Sequence, residues 1–206
     1  SLFKKGKDHE RKIVHEKYPD VVSISYETPE LGFRSTIESM ILGNETLHSM
    51  PMYYLPKGVY GIPDMLEKSN TENSIFGDYH YTITEVKLAK NIKKEHLIQG
   101  AFYNYLLGAI QGITPEIFCT INGEGEKEEH DYRSYEPTLM SLIGDTRKIL
   151  QGESVSPTYN SCGFPWKSYC DKKAIEVKDI SLVDGLGQAK KSKLYHKYKT
   201  VEDISN

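Results

Sequence analysis

Two rhythms of apolar residues organise this chain. Residues 79–89, YHYTITEVKLA, are largely β-branched or aromatic, which suits a pleated, half-buried strand. From Glu95 to Leu107 the apolar spacing widens to that of a helix, and Gly108 stands where such a helix would stop. Upstream, Phe3 to about Tyr18 reads as a surface helix, with Ile13 and Val14 among charges and Pro19 as its stop. VVSISYE (21–27) reads as a strand, and residues 33–43 as a helix with Ile37, Met40 and Ile41 on one side and Gly43 at its end. GVYGIPDMLEK (58–68) reads as a strand with an irregularity at Pro63, joined to 79–89 by the polar loop SNTENSIFGD. Pro115–Asn122 is a further predicted strand and Glu136–Leu150 a further helix. Residues 151–171 follow neither rhythm, and Lys178–Asn206 is a basic, helical tail with a glycine-rich turn. This order predicts an α/β fold: a central mixed β-sheet flanked by helices over residues 1–175, then a small helical C-terminal module over 176–206.

Alternation along a strand sends Glu85 and Lys87 to one face. With 58–68 as the hairpin partner, Asp64 shares that face. Two converging carboxylates repel each other, and a hard divalent cation with oxygen ligands removes the conflict. The lysine is then placed to hold water or to stabilise charge on phosphoryl oxygens. On the next helix Gln99 and Tyr103 lie one turn apart and face the same way, positioned to orient the lysine or a phosphate. A Glu–Lys pair by itself is an ordinary exposed cross-strand pair. With Asp64 and the following helix in place, a metal-dependent site is the better account.

Composition narrows the setting. A chain of 206 residues can bury one good core and a small appendage. At 38% hydrophobic and 27% charged residues it belongs with folded rather than disordered chains. No apolar run approaches the roughly 20 residues of a membrane helix, and SLFKKGKDHE lacks the apolar stretch of a signal peptide. A cytoplasmic protein with no membrane partner is expected. The net charge of -3 conceals segregation: lysines cluster at 4, 5 and 7, at 90, 93 and 94, and from 190 to 199, whereas acids gather at 124–131. Such a distribution permits a polyanion on one side. Three cysteines, Cys119, Cys162 and Cys170, are too few and too irregular for a disulfide framework.

Taken in order, Gly61-Ile-Pro-Asp64, Glu85-Val-Lys87 and Gln99-Gly-Ala-Phe-Tyr103 resemble the G-x-x-D, E-x-K and Q-x-x-x-Y motifs of the RecB-like branch of the PD-(D/E)XK nuclease superfamily. The chain is similar in this to the CRISPR-associated RecB-like exonucleases, over roughly residues 1–175. The resemblance implies a restriction-endonuclease-like core. It implies Mg²⁺ or Mn²⁺ held by Asp64, Glu85 and the backbone carbonyl of Val86, with Lys87 assisting the attacking water and Gln99 and Tyr103 positioning. The family also takes a ligand from its first helix, in a G-x-x-x-H motif. Counting from Gly6 arrives at Glu10, with His9 one residue early. Adjacent helical residues diverge by about 100°, so one of the two reaches the ion; spacing and hard-oxygen chemistry favour Glu10, with His9 its competitor.

The segment from Ser161 to Cys170 resembles the place where many of these relatives hold a [4Fe–4S] cluster. Those relatives use four cysteines, and only Cys162 and Cys170 stand here after the core. Cys119 lies in a predicted strand, as a buried thiol does. No iron–sulfur cluster is expected, and the loop is expected to be kept by packing around Trp166. The tail resembles a helix-hairpin-helix. Gly185-Leu-Gly187 would form a turn open to a phosphate, Ala189 would allow close helix packing, and Lys190, Lys191 and Lys193 would attract the DNA backbone. Together these resemblances imply a Mg²⁺- or Mn²⁺-dependent deoxyribonuclease acting on single-stranded DNA or DNA ends, in repair, recombination or defence, with other DNA-processing proteins as further partners. The rivals are a catalytically silent DNA-binding subunit and a metal-dependent RNase.

Overall fold

Strand pairing decides how the predicted elements meet. The computed structural model describes residues 2–163 and 165–205. The chain divides into two units, Ser1–Ile143 and Gly144–Asn206. In the first, α1 (Leu2–Lys17) is followed by β1 (Val22–Ser23), α2 (Pro29–Ile41), β2 (Thr46–His48), β3 (Met52–Tyr54), β4 (Val59–Gly61), β5 (Met65–Ser69) and β6 (His80–Val86). Then come α3 (Lys94–Gln111), β7 (Ile117–Ile121), β8 (Lys127–Asp131) and α4 (Glu136–Leu150), which runs through the division between units. Six strands form one sheet in the order β1-β2-β5-β6-β7-β8, and β3 and β4 form a separate pair. Pairing is parallel for β1–β2 and β6–β7 and antiparallel elsewhere. The fold is α/β with a mixed central sheet flanked by helices, consistent with a restriction-endonuclease-like core.

The sheet buries both faces. On one, Leu47, Leu66, Tyr81, Ile83 and Phe118 pack with Ala101, Leu106 and Leu107 of α3. On the other, Met65, Val86 and Ile121 pack against Ile13 and Val14 of α1. Alternation thus assigns Tyr81, Ile83 and Glu85 to the α3 side and Val86 to the α1 side.

Several boundaries differ from the sequence pattern, each for a local reason. The strand expected over 21–27 shortens to Val22–Ser23, because its partner β2 is only three residues long and Thr28 already caps α2. Thr28 Oγ1 accepts from Leu31 N, and Pro29 occupies the first turn, where its missing N–H costs nothing. The strand expected over 58–68 splits at Ile62–Asp64 into β4 and β5, which belong to different sheets. α3 runs past Gly108 to a left-handed Gly112 (φ 80°). Gly108 is needed for packing instead, since a Cβ there would lie 2.2 Å from Thr114 Oγ1. The acidic stretch 124–131 contains β8, an edge strand on which only His130 is buried; charges on an edge discourage further pairing.

In the second unit α5 (Lys167–Glu176), a 3-10 turn at Ile180–Leu182, α6 (Gln188–Leu194) and α7 (Val201–Ser205) surround Ala174 and Ile180. Residues 167–171, expected as loop, begin α5. Two expectations are corrected here. The loop expected to be kept by packing is crosslinked by a disulfide between Cys162 and Cys170, and Trp166 is 66% exposed, so it does not organise the loop by burial. Cys119 is buried and free. Among the described residues no helix is long and apolar enough to cross a membrane.

Candidate active site

The hairpin register builds the site. Met65 pairs with Thr84, which sets Asp64 opposite Glu85 at the point where the chain leaves β4 and enters β5. The two acids exchange hydrogen bonds through the backbone: Asp64 N donates to Glu85 Oε1 (3.1 Å), and Val86 N donates to Asp64 Oδ2 (2.7 Å). Lys87 Nζ lies 2.6 Å from Glu85 Oε2 and 3.8 Å from Asp64 Oδ2. Glu85 is 1% exposed, so these charges interact in a medium much less screening than water.

Glu10 approaches from α1. Its Oε1 lies 2.8 Å from His48 Nε2, and it lines a cleft of about 270 Å³ together with Lys7, Arg11, His48 and Asp64. Of the two candidates on the first helix, Glu10 is therefore the one that faces Asp64. His9 Nε2 is buried without a hydrogen-bond partner. On α3, Gln99 Nε2 donates to Tyr103 Oη at 3.1 Å. The Tyr103 ring presses on Gly61, where a Cβ would come within 2.5 Å of it, so only glycine fits beneath that ring. The Tyr103 hydroxyl also feels Glu85, Asp64 and Lys87 electrostatically. Sequence reasoning missed His48, because β2 is too short to show a strand rhythm.

The electrostatics are unbalanced. Burial, then the charge of Glu85, pushes the Asp64 carboxyl well above its usual range, with Lys87 opposing. Burial likewise raises Glu85 against the pull of Lys87 and of the Asp64 N–H. For Lys87, burial works against the charged form, but Glu85 and Asp64 outweigh it and hold the ammonium protonated beyond its ordinary range. Burial raises the Tyr103 hydroxyl too, so it stays a neutral donor.

Asp64 and Glu85 thus share the Lys87 ammonium, Glu10 pairs with His48 beside them, and all three acids offer oxygen. That composition fits a hard divalent cation. Among the described residues no group of three or more His, Cys, Asp or Glu side chains is gathered at metal-ligating spacing. The ammonium of Lys87 contacts both Glu85 and Asp64, and Glu10 is paired with His48.

The residues expected to bind DNA in the tail do not all remain available. Gly185 adopts a left-handed turn (φ 73°), Gly187 caps α6, and Lys190 is exposed. Lys191 is corrected: it is 4% exposed, and its Nζ donates to Asp179 Oδ2 (2.7 Å), Ser156 Oγ (2.9 Å) and the Pro157 carbonyl (2.7 Å). It holds the second unit together and cannot reach a phosphate. Ala189 is exposed rather than packed between helices. No protein-family model matches the chain, and no curated protein matches it in sequence.

Proposed function

We propose that the protein is a Mg²⁺- or Mn²⁺-dependent deoxyribonuclease of the RecB-like PD-(D/E)XK kind, hydrolysing phosphodiester bonds in single-stranded DNA or at DNA ends. The observation that carries this reading is the meeting of Asp64 with Glu85 and Lys87, some twenty residues on in the chain, beside Glu10 of α1. A buried excess of carboxylate over ammonium destabilises the apo fold, and a structural role would not require it.

Asp64, Glu85, Glu10 and the Val86 carbonyl would hold the cation, which when bound neutralises phosphoryl oxygens and makes water more acidic. Asp64 and Glu85 are pinned by backbone N–H groups, so their orientation is set before substrate arrives. Lys87 stays charged and acts by position: its ammonium can orient the attacking water and stabilise negative charge that builds on the phosphorus-bound oxygens. Tyr103, whose oxygen accepts from Gln99, keeps its own O–H proton to donate to a phosphate oxygen. In the second unit the exposed Lys190 offers sequence-independent attraction to a nucleic-acid backbone.

Incubation with labelled single-stranded DNA and Mn²⁺ tests the reading, with a matched RNA in parallel. Cleavage of DNA by the wild type and its loss in Lys87→Ala is expected. Equal inertness of the two proteins would dismiss catalysis, and cleavage of RNA alone would reassign the substrate.

A further inference from the structure

Each acid of the site has an oxygen fixed by a protein donor, Glu85 has both engaged, and the donors differ in kind. Asp64 Oδ2 is fixed by the Val86 N–H and Glu85 Oε1 by the Asp64 N–H, both supplied by rigid backbone at the β5–β6 pairing. Glu10 sits on a helix with no such backbone group nearby in sequence. Its partner is the His48 ring, 2.8 Å away and contributed by β2. A contact that leaves both Glu10 oxygens as acceptors has His48 Nε2 as its donor. The opposite ring nitrogen, Nδ1, lies 3.2 Å from Ser23 Oγ, on the residue paired with His48 across β1 and β2. Both ring nitrogens are thus engaged, and two contacts fix the orientation of the ring. His48 is 7% exposed, which leaves it little room to turn.

We infer that His48 is a positioning residue: held by Ser23, it pins Glu10 Oε1 so that Glu10 Oε2 faces the cleft shared with Asp64. This rests on Glu10 being a ligand of the divalent ion in the proposed function. It goes beyond that reading in giving the third acid its own support, built from side chains alone where the other two each have a backbone donor. A flexible glutamate that must be ordered by the ion loses affinity to the ordering cost, whereas one already fixed does not.

The test is Mn²⁺ binding to the full chain without nucleic acid, followed by the electron paramagnetic resonance signal of free Mn²⁺, with thermal melting in EDTA as a check on folding. His48→Ala is expected to weaken binding about 10–100-fold, the range for groups that orient a ligand. His48→Gln, whose amide can still donate to Glu10, is expected to recover most of the loss. The double variant His48→Ala/Glu10→Gln should bind no more weakly than Glu10→Gln alone, because His48 acts through Glu10. Wild-type affinity in His48→Ala, additive losses in the double variant, or a directly bound imidazole nitrogen in the pulsed spectrum would overturn the inference. Mn²⁺ bound with this pattern but without DNA cleavage would leave the inference standing and defeat the nuclease reading. Cleavage by the wild type with unaltered Mn²⁺ binding in His48→Ala would do the reverse.

Discussion

Each unit of the molecule buries a lysine against carboxylate, and the two clusters behave in opposite ways. In the second unit, Asp179 and Lys191 form one pair, 0% and 5% exposed at the side chain. Asp179 also accepts from Ser156 and from the Ser181 N–H, while Lys191 also donates to Ser156 and to the Pro157 carbonyl. Charges cancel and the polar groups find partners. Burial would raise the Asp179 carboxyl, but Lys191 and the serines outweigh it and the net movement is downward. In the first unit, Lys87 answers Glu85 and Asp64 together, with Glu10 adding to the field, and both buried acids move upward. A balanced, satisfied pair is a structural fastening. An unbalanced one is stable only because the rest of the fold holds it, and in the proposed function an added cation relieves it.

The sharpest break in this comparison comes from removing one lysine at a time. Lys191→Ala should destabilise the second unit by about 3–5 kcal/mol, since it strands a buried carboxylate. Urea unfolding followed by Trp166, the single tryptophan of the chain and a residue of that unit, measures this. Lys87→Ala should instead cut DNA cleavage by about 10²–10³-fold, the usual cost of one charge-stabilising donor. Its melting temperature in EDTA should fall as well, because Glu85 and Asp64 lose their ammonium; what separates the two variants is that Lys191→Ala leaves cleavage by the folded protein intact. If Lys87→Ala keeps wild-type cleavage while Lys191→Ala, still folded, loses it, the two clusters have been assigned the wrong way round.

Acid sharpens the contrast. Asp179 binds its proton less readily folded than unfolded, so its contribution to stability is present above the unfolded carboxylate range near about pH 4. It is lost as the pH falls through the lower folded value. The Trp166 signal should therefore report acid unfolding below that range, and Lys191→Met should move the transition to higher pH. An unshifted transition in Lys191→Met would show that the pair does not set acid stability.

The smallest expected effect is at the exposed lysine of the tail. Lys190→Ala should weaken single-stranded DNA binding modestly and evenly across sequences, and lower the slope of log affinity against log salt by about one. Fluorescence anisotropy over a salt series reads this, and an unchanged slope would remove Lys190 from the DNA contact.

How much of this could be read from sequence follows from what each residue depends on. Glu85 and Lys87 share a face because strand alternation is local, and Asp64 joins them because a hairpin fixes antiparallel pairing. Gln99 and Tyr103 are set by helical spacing in the same way. The end of α3 was not legible, since Gly108 and Gly112 are equally plausible stops until Thr114 is seen against the first of them. β2, β3 and β8 escaped because short or charged edge strands carry little rhythm, and His48 escaped with β2. Lys191 looks like its neighbours in a basic tail. What separates it is Asp179, twelve positions away and brought near by the turn at Gly185.

The most direct test of the central claim is a crystal soaked in Mn²⁺ and measured at a wavelength where manganese scatters anomalously. The account predicts a peak within coordinating distance of Asp64, Glu85 and Glu10, with Lys87 Nζ drawn back from between the first two. A well-ordered site with no such peak, and with the ammonium still seated between Glu85 and Asp64, would contradict it.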